Sequence, residues 1–184
     1  VVAEVLQQFA PSLRPGQIIV DATTGDPAEV QALGEMLEQH GVAYLASPVA
    51  ASSEQTRRGE AMALVSGPRE AFDQAQDLYS ALMGTTYYVG SQWGDASRLK
   101  LVNNLLLGLH RAALAEGLWF TEFLGLDPRT TLNILRQGNA YSGVMETKGK
   151  IFITEHTDST EKTQLWLLIL SVFSVLSVVK GFKT

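Results

Sequence analysis

Hydrophobic and polar positions change their period several times along the chain, and each change marks an element. Val1, Val2, Val5, Leu6 and Phe9 stand at helical spacing, so the sequence opens in mid-pattern, as a cut end would. Leu13-Arg14-Pro15-Gly16 predicts a turn into the apolar run 17–21, a buried strand that ends on the carboxylate of Asp21. Asp26-Pro27 pairs an N-cap with a first-turn proline; a helix is predicted from there to about His40, closed by Gly41. Residues 42–45 form the next strand, and residues 60–65 alternate as another before Ser66-Gly67-Pro68. A helix over 70–83 places Phe72, Ala75, Leu78, Tyr79 and Leu82 on one side, and the β-rich run 85–89 ends at Gly90. Strands alternating with helices predict an α/β unit with a mainly parallel sheet.

The pattern then becomes helical. Between residues 96 and 123 there is no proline, and only Gly108 and Gly117 interrupt the run. Leu99, Val102, Leu105, Leu106, Leu109, Leu118, Trp119 and Phe123 recur at helical spacing, while Leu101, Leu107, Leu114 and Phe120 fill the other side. A helix apolar nearly all round is predicted to be buried. Asp127-Pro128 starts another helix that continues toward Gly138, and a short one follows from Met145 to Lys150. The fold class is therefore α/β followed by all-α, with boundaries near 1–92, 93–152 and a tail over 153–184.

Composition narrows the function classes. With 184 residues, 46% hydrophobic content and a formal net charge of −5, the chain is an ordinary globular one without an electrostatic case for nucleic acid or an anionic membrane. No cysteine is present, which excludes disulfides, cysteine-ligated zinc and a thiol nucleophile. His40, His110 and His156 show no metal-ligand spacing. No targeting signal is visible, so a cytoplasmic or organelle-matrix location is expected. The apolar run 165–179 is about 15 residues long, short of the roughly 20 that span a bilayer, and a membrane role is not favoured.

Set into the apolar helix are Lys100 and Asn104, four residues apart and so on one face. Two readings stand. Lys100 snorkels to water from near a helix end while Asn104 satisfies a carbonyl. Alternatively, a lysine desolvated in a cleft exchanges a proton with a substrate oxygen that the amide holds. Spacing alone does not choose. Arg111 shares that side two turns on, His110 and Glu116 suit packing or polar satisfaction, and Trp93 suits core or hinge packing over a pocket wall.

Gly94-x-Ala96-x-x-x-Lys100-x-x-x-Asn104 resembles the G-x-G-x-x-x-K-x-x-x-N signature of the β-hydroxyacid dehydrogenases, with alanine for the second glycine. That family includes 3-hydroxyisobutyrate dehydrogenases, glyoxylate/succinic semialdehyde and tartronate semialdehyde reductases and, more distantly, 6-phosphogluconate dehydrogenase. The likeness runs to about Ile151. It implies the C-terminal part of a Rossmann-like NAD(P)-binding domain, then the first helices of a helical dehydrogenase domain. It also implies that Lys100 is the catalytic acid/base and Asn104 orients the substrate. The stretch Asp21-Ala22-Thr23-Thr24-Gly25-Asp26-Pro27 is similar to the family's D-x-S-T-x-x-P, which places Thr24 against NAD or NADP. Ser47-Pro48-Val49-Ala50-Ala51-Ser52 falls where the family has A-P-V-S-G-G, whose serine and glycine hold the substrate carboxylate. Here Ala50 and Ala51 stand in those places; either Ser52 or Ser53 supplies a hydroxyl to a carboxylate or a different substrate, or this is a plain connecting loop.

No G-x-G-x-x-G occurs in the chain, so cofactor binding is expected only in a complete one and this chain alone is expected to be inactive. The resemblance implies a small hydroxy acid or aldehyde acid as substrate and a homo-oligomer formed through the helical domain. The alternative is an inactive fragment or pseudoenzyme that serves as a dimerisation module. From Ile153 the likeness is expected to stop, and a one-base frame shift permits residues 161–171 to be reread as G-K-N-S-A-L-A-L-D-L-K, the helix start a relative would carry there.

Overall fold

A computed structural model describes residues 2–155. It divides into two compact units with the boundary between Val102 and Asn103. The first holds α1 (Val2–Phe9), one 3-10 turn (Ala10–Ser12), β1 (Ile18–Asp21), α2 (Pro27–Glu38), β2 (Ala43–Ala46), β3 (Val49–Ala50), α3 (Ser53–Arg57), β4 (Met62–Ser66), α4 (Arg69–Gln74), α5 (Gln76–Leu82) and β5 (Thr85–Gly90). Helix α6 (Asp95–Phe123) starts in this unit and continues into the second, which adds α7 (Pro128–Leu135) and α8 (Val144–Glu155).

The caps read from sequence are present. Asp26 Oδ1 accepts from the amides of Ala28 (2.8 Å) and Glu29 (3.2 Å), and Pro27 opens α2. Past the C-terminal end of α2, Gly41 takes φ +68, the left-handed conformation that lets the chain turn into β2. Asp127 caps α7 in the same way, its Oδ2 accepting from the Thr130 amide at 2.8 Å. The helix predicted over 70–83 is broken at Ala75. There the Phe72 carbonyl accepts from the Ala75 amide (3.1 Å) and the Gln76 side chain (3.2 Å), leaving the next turn to restart as α5.

The sheet is mixed. β1 pairs β2 and β4 pairs β5 in parallel, whereas β2 and β3 meet β4 antiparallel through Ala46↔Ser66 and Val49↔Ala63. The return from β3 to β4 contains only the five-residue α3, less than a parallel crossover needs, so the chain folds back on itself. Neither β3 nor α3 is announced by the hydrophobic pattern, because each is too short to show a period.

Alternation along β2 builds two cores. Tyr44 and Ala46 face Leu6, Val30, Leu37 and Trp93 under α1 and α2. Leu45 faces Val65, Phe72 and Tyr79 under α4 and α5. In the second unit Leu114, Ala115 and Leu118 pack with Leu132, Val144, Met145 and Phe152. Each large apolar side chain buried in these clusters stabilises the fold by about 1.5–3 kcal/mol. Helix α6 departs from expectation, because Leu99, Val102, Leu106, Leu107, Leu109, Trp119, Phe120 and Phe123 are exposed. No helix among the described residues is long and apolar enough to cross a membrane, and the run 165–179, like the reread segment, lies outside them.

Candidate functional site

The first turn of α6 is fixed before its lysine is placed. Trp93 sits in the first core, where a Cβ on Gly34 would strike its indole ring, and its Nε1 donates to the Tyr44 carbonyl at 2.9 Å. Trp93 is thus a core residue. A Cβ on Gly94 would lie 2.8 Å from the Pro27 carbonyl oxygen, so only glycine allows this approach of the chain to α2. The buried Ser66 hydroxyl donates to the Trp93 carbonyl at 2.6 Å and accepts from the Ala96 amide at 3.0 Å.

One turn later Lys100 Nζ donates to the Val49 carbonyl at 2.7 Å. The side chain is half-buried, and desolvation pushes its pKa below the usual lysine range. Val49 belongs to the Pro48-to-Ser52 stretch, so the structure brings the lysine to that loop. Its ammonium is turned onto the protein backbone, although the side chain keeps part of its exposure to water. An ammonium of lowered pKa, already oriented by a carbonyl, suits proton exchange with an oxygen placed beside it.

Ala50 and Ala51 are half-buried and carry no hydrogen-bonding side chain. Ser52 is exposed and caps α3. Its Oγ accepts from the Gln55 amide (3.2 Å), and Gln55 Oε1 accepts from the Ser52 amide (2.9 Å), a reciprocal capping box. The cap uses the oxygen of Ser52 as acceptor and leaves its proton for an outside acceptor. Thr24 is exposed beyond the carboxyl end of β1. The turn that carries it is braced by Asp21, whose Oδ1 accepts from the Thr23 amide (2.9 Å) and whose Oδ2 accepts from the Tyr44 hydroxyl (2.6 Å). Burial, with the hydrogen bond to Asp21 and its charge, raises the Tyr44 pKa far above the usual phenol value. Asn104 belongs to the second unit, where it is half-buried and its Oδ1 accepts from Asn103 Nδ2 at 3.3 Å.

The structure thus adds the Val49 carbonyl, Ser66 and the Trp93 backbone to the residues around Lys100. A carbonyl leaves no mark in a sequence, and a single serine at a strand end carries little more. Among the described residues no group of three or more His, Asp or Glu is placed to hold a metal ion. A dinucleotide is fitted in part: the exposed Thr24 hydroxyl stands at the carboxyl end of a parallel strand, where such cofactors lie. The glycine-rich turn that would grip the pyrophosphate is not among these residues.

Residues 1–90 match the model of the NAD-binding domain of 6-phosphogluconate dehydrogenase, and residues 94–169 match the NAD-binding model of NADP-dependent 3-hydroxyisobutyrate dehydrogenase. The second match extends past Ile153, to residue 169. L-threonate dehydrogenase of Cupriavidus necator is 31% identical over 139 residues, covering 76% of this chain and 47% of the relative. The cytokine-like nuclear factor N-PAC of Danio rerio is 29% identical over 126 residues, 68% of this chain and 27% of its own. The chain therefore spans just under half the length of the first relative and about a quarter of the second. The crystal structure of 3-hydroxyisobutyrate dehydrogenase from Salmonella typhimurium superimposes with a TM-score of 0.75 at 20% identity, over 99% of this chain and 65% of that one, which shows the shared fold.

Proposed function

The chain belongs to the β-hydroxyacid dehydrogenase family, and from that premise we propose that it forms part of an NAD(P)-dependent oxidoreductase acting on a small 3-hydroxy acid or aldehyde acid. In a chain that also carries the glycine-rich turn, bound NAD(P) supplies or accepts the hydride. Thr24 lies along the cofactor. Lys100 gives a proton to the carbonyl oxygen in the reductive direction and takes it back in the oxidative one. Asn104 holds that oxygen. Ser52 donates its hydroxyl to the substrate carboxylate, a task for which Ala50 and Ala51 offer only backbone. One observation supports the reading: the 2.7 Å bond from Lys100 to the Val49 carbonyl brings the signature lysine, partly desolvated, to the loop that the resemblance assigns to the substrate.

The test is turnover of 3-hydroxyisobutyrate, glyoxylate, succinic semialdehyde and L-threonate by a completed chain, with Lys100→Ala beside it. Rates are expected to fall by about 100-fold or more, the scale of a lost general acid, while cofactor affinity holds. Wild-type-like rates in Lys100→Ala remove the lysine from its role. For the chain as it stands, no dinucleotide binding and no turnover are expected; titration with NADH and NADPH checks this.

A second reading is a non-catalytic association module. The match to a relative named as a nuclear factor favours it, because the same stretch then occurs outside proteins named as dehydrogenases. A completed chain that binds no dinucleotide moves this reading ahead. Either way the exposed leucines of α6 support self-association through the helical unit, which sedimentation of the chain with and without Leu106→Glu would detect.

A further inference from the structure

β4 is the rail on which the lysine and its acceptor are both mounted. On one side it pairs with β3, Val49↔Ala63 and Ala50↔Met62, and the Leu64 amide donates to the Pro48 carbonyl at 3.2 Å, so the loop bearing the Val49 carbonyl is fixed to β4. At its carboxyl end stands Ser66, wholly buried, with both capacities of its hydroxyl engaged: the proton goes to the Trp93 carbonyl (2.6 Å) and the oxygen receives the Ala96 amide (3.0 Å). Ala96 is in the first turn of α6, where amides have no partner within the helix. Its acceptor comes from the sheet, a cap supplied across the fold. Ala96 precedes Lys100 by four residues, so the tether lies one turn from the lysine and on its side of the helix. Trp93 extends the brace through its 2.9 Å bond to the Tyr44 carbonyl in β2.

We propose that Ser66 is a positioning residue for Lys100: its hydroxyl pins the first turn of α6 to the end of β4 and thereby sets the ammonium against the Val49 carbonyl that the same strand holds. This rests on reading Lys100 as the acid/base, and its test is read without turnover so that the two stand or fall separately. A serine that only filled the core would stabilise the fold without governing the lysine.

The experiment has two readouts on the chain itself. Amide exchange of Ala96 is measured first in the unaltered protein. The tether requires protection like that of core amides; exchange at the rate of an uncapped first-turn amide overturns the proposal whether or not any variant folds. The second readout is the pH dependence of Lys100 labelling by an amine-reactive reagent, followed by mass spectrometry. Ser66→Ala frees the lysine toward water, so its labelling midpoint moves up toward the ordinary lysine range, and Ala96 exchange quickens by roughly tenfold. Ser66→Thr, which keeps the hydroxyl, holds the native midpoint. Tyr79→Phe is the control. It removes a buried hydroxyl that bonds Ser47 in the second core, at 2.5 Å, and leaves the Lys100 profile where it was. An unchanged profile in Ser66→Ala, or one displaced equally in Ser66→Thr, overturns the assignment.

Discussion

The α/β unit and the helical unit use their apolar residues differently. In the first, Trp93 is 9% exposed and wedged in a core that also holds Leu37 and Tyr44, and the buried hydroxyls of Ser47 and Ser66 are hydrogen-bonded. In the second, Leu118 and Leu132 are buried, yet Trp119 is 53% exposed, with Phe120, Phe123, Leu124 and Leu126 exposed nearby. Both units are rich in leucine and aromatics. A hydrophobic pattern states what must leave water; it does not state what will cover it.

The sharpest test of that contrast is a pair of tryptophan truncations read by urea unfolding. Trp93→Ala empties a filled core and orphans the Tyr44 carbonyl, and it is expected to cost about 3–5 kcal/mol. Trp119→Ala loses an exposed ring stacked on Phe123 at 5.8 Å, and about 1 kcal/mol or less is expected. Equal costs would mean that the α6 face is covered as the first core is, and the contrast would fail.

Next come two glycines on either side of the unit boundary. Gly94→Ala drives a Cβ against the Pro27 carbonyl, a backbone atom that cannot swing aside, and about 1–3 kcal/mol of destabilisation is expected. Gly117→Ala, mid-helix with nothing within 4 Å of the new Cβ, is expected to stabilise by about 0.5–1 kcal/mol. Thermal melts of the two variants report the opposite signs.

These residues also show how far the fold was legible in sequence. The caps at Asp26 and Asp127, the strands at 18–21 and 43–46 and the long α6 follow from local chemistry: a carboxylate before proline, short apolar runs, a proline-free apolar stretch. The antiparallel return through β3 does not, because two residues carry no period and pairing with β4 is decided at a distance. The same divide runs through the site. Lys100 and the loop it meets are visible as residue types, and the resemblance names them. That they meet through the Val49 carbonyl, with Ser66 holding the helix start, depends on backbone atoms identical in every residue. The departures at Ala50 and Ala51 were plain in sequence, but that Ser52 would be drawn into capping α3 was not.

A smaller effect separates the units along the pH axis, beginning with Tyr44 in the α/β unit. Its folded pKa lies above the unfolded value of about 10. Below that value both states keep the proton and stability is flat. Above it the unfolded state loses the proton while the folded state retains it, so stability falls as pH rises. Tyr44→Phe is expected to flatten that alkaline limb in denaturation midpoints taken from pH 9 upward, and a limb of undiminished slope would assign it to other groups.

The helical unit contributes at the other end, and least. The Thr130 hydroxyl and amide, donating to Asp127 at 2.6 and 2.8 Å, hold its carboxyl below the usual aspartate range. A group whose folded pKa is depressed adds stability above its unfolded value of about 3.9 and loses it as pH falls through the folded one. Asp127 is fully exposed, so solvent screens most of the gain, and only a shallow acid limb is assigned to it. Asp127→Asn keeps a capping oxygen and removes the titration. It should therefore leave the midpoint near pH 7 almost unchanged while flattening the slope below pH 4. Loss at pH 7 as large as that of an uncapped helix would show that the charge rather than the oxygen holds the start of α7.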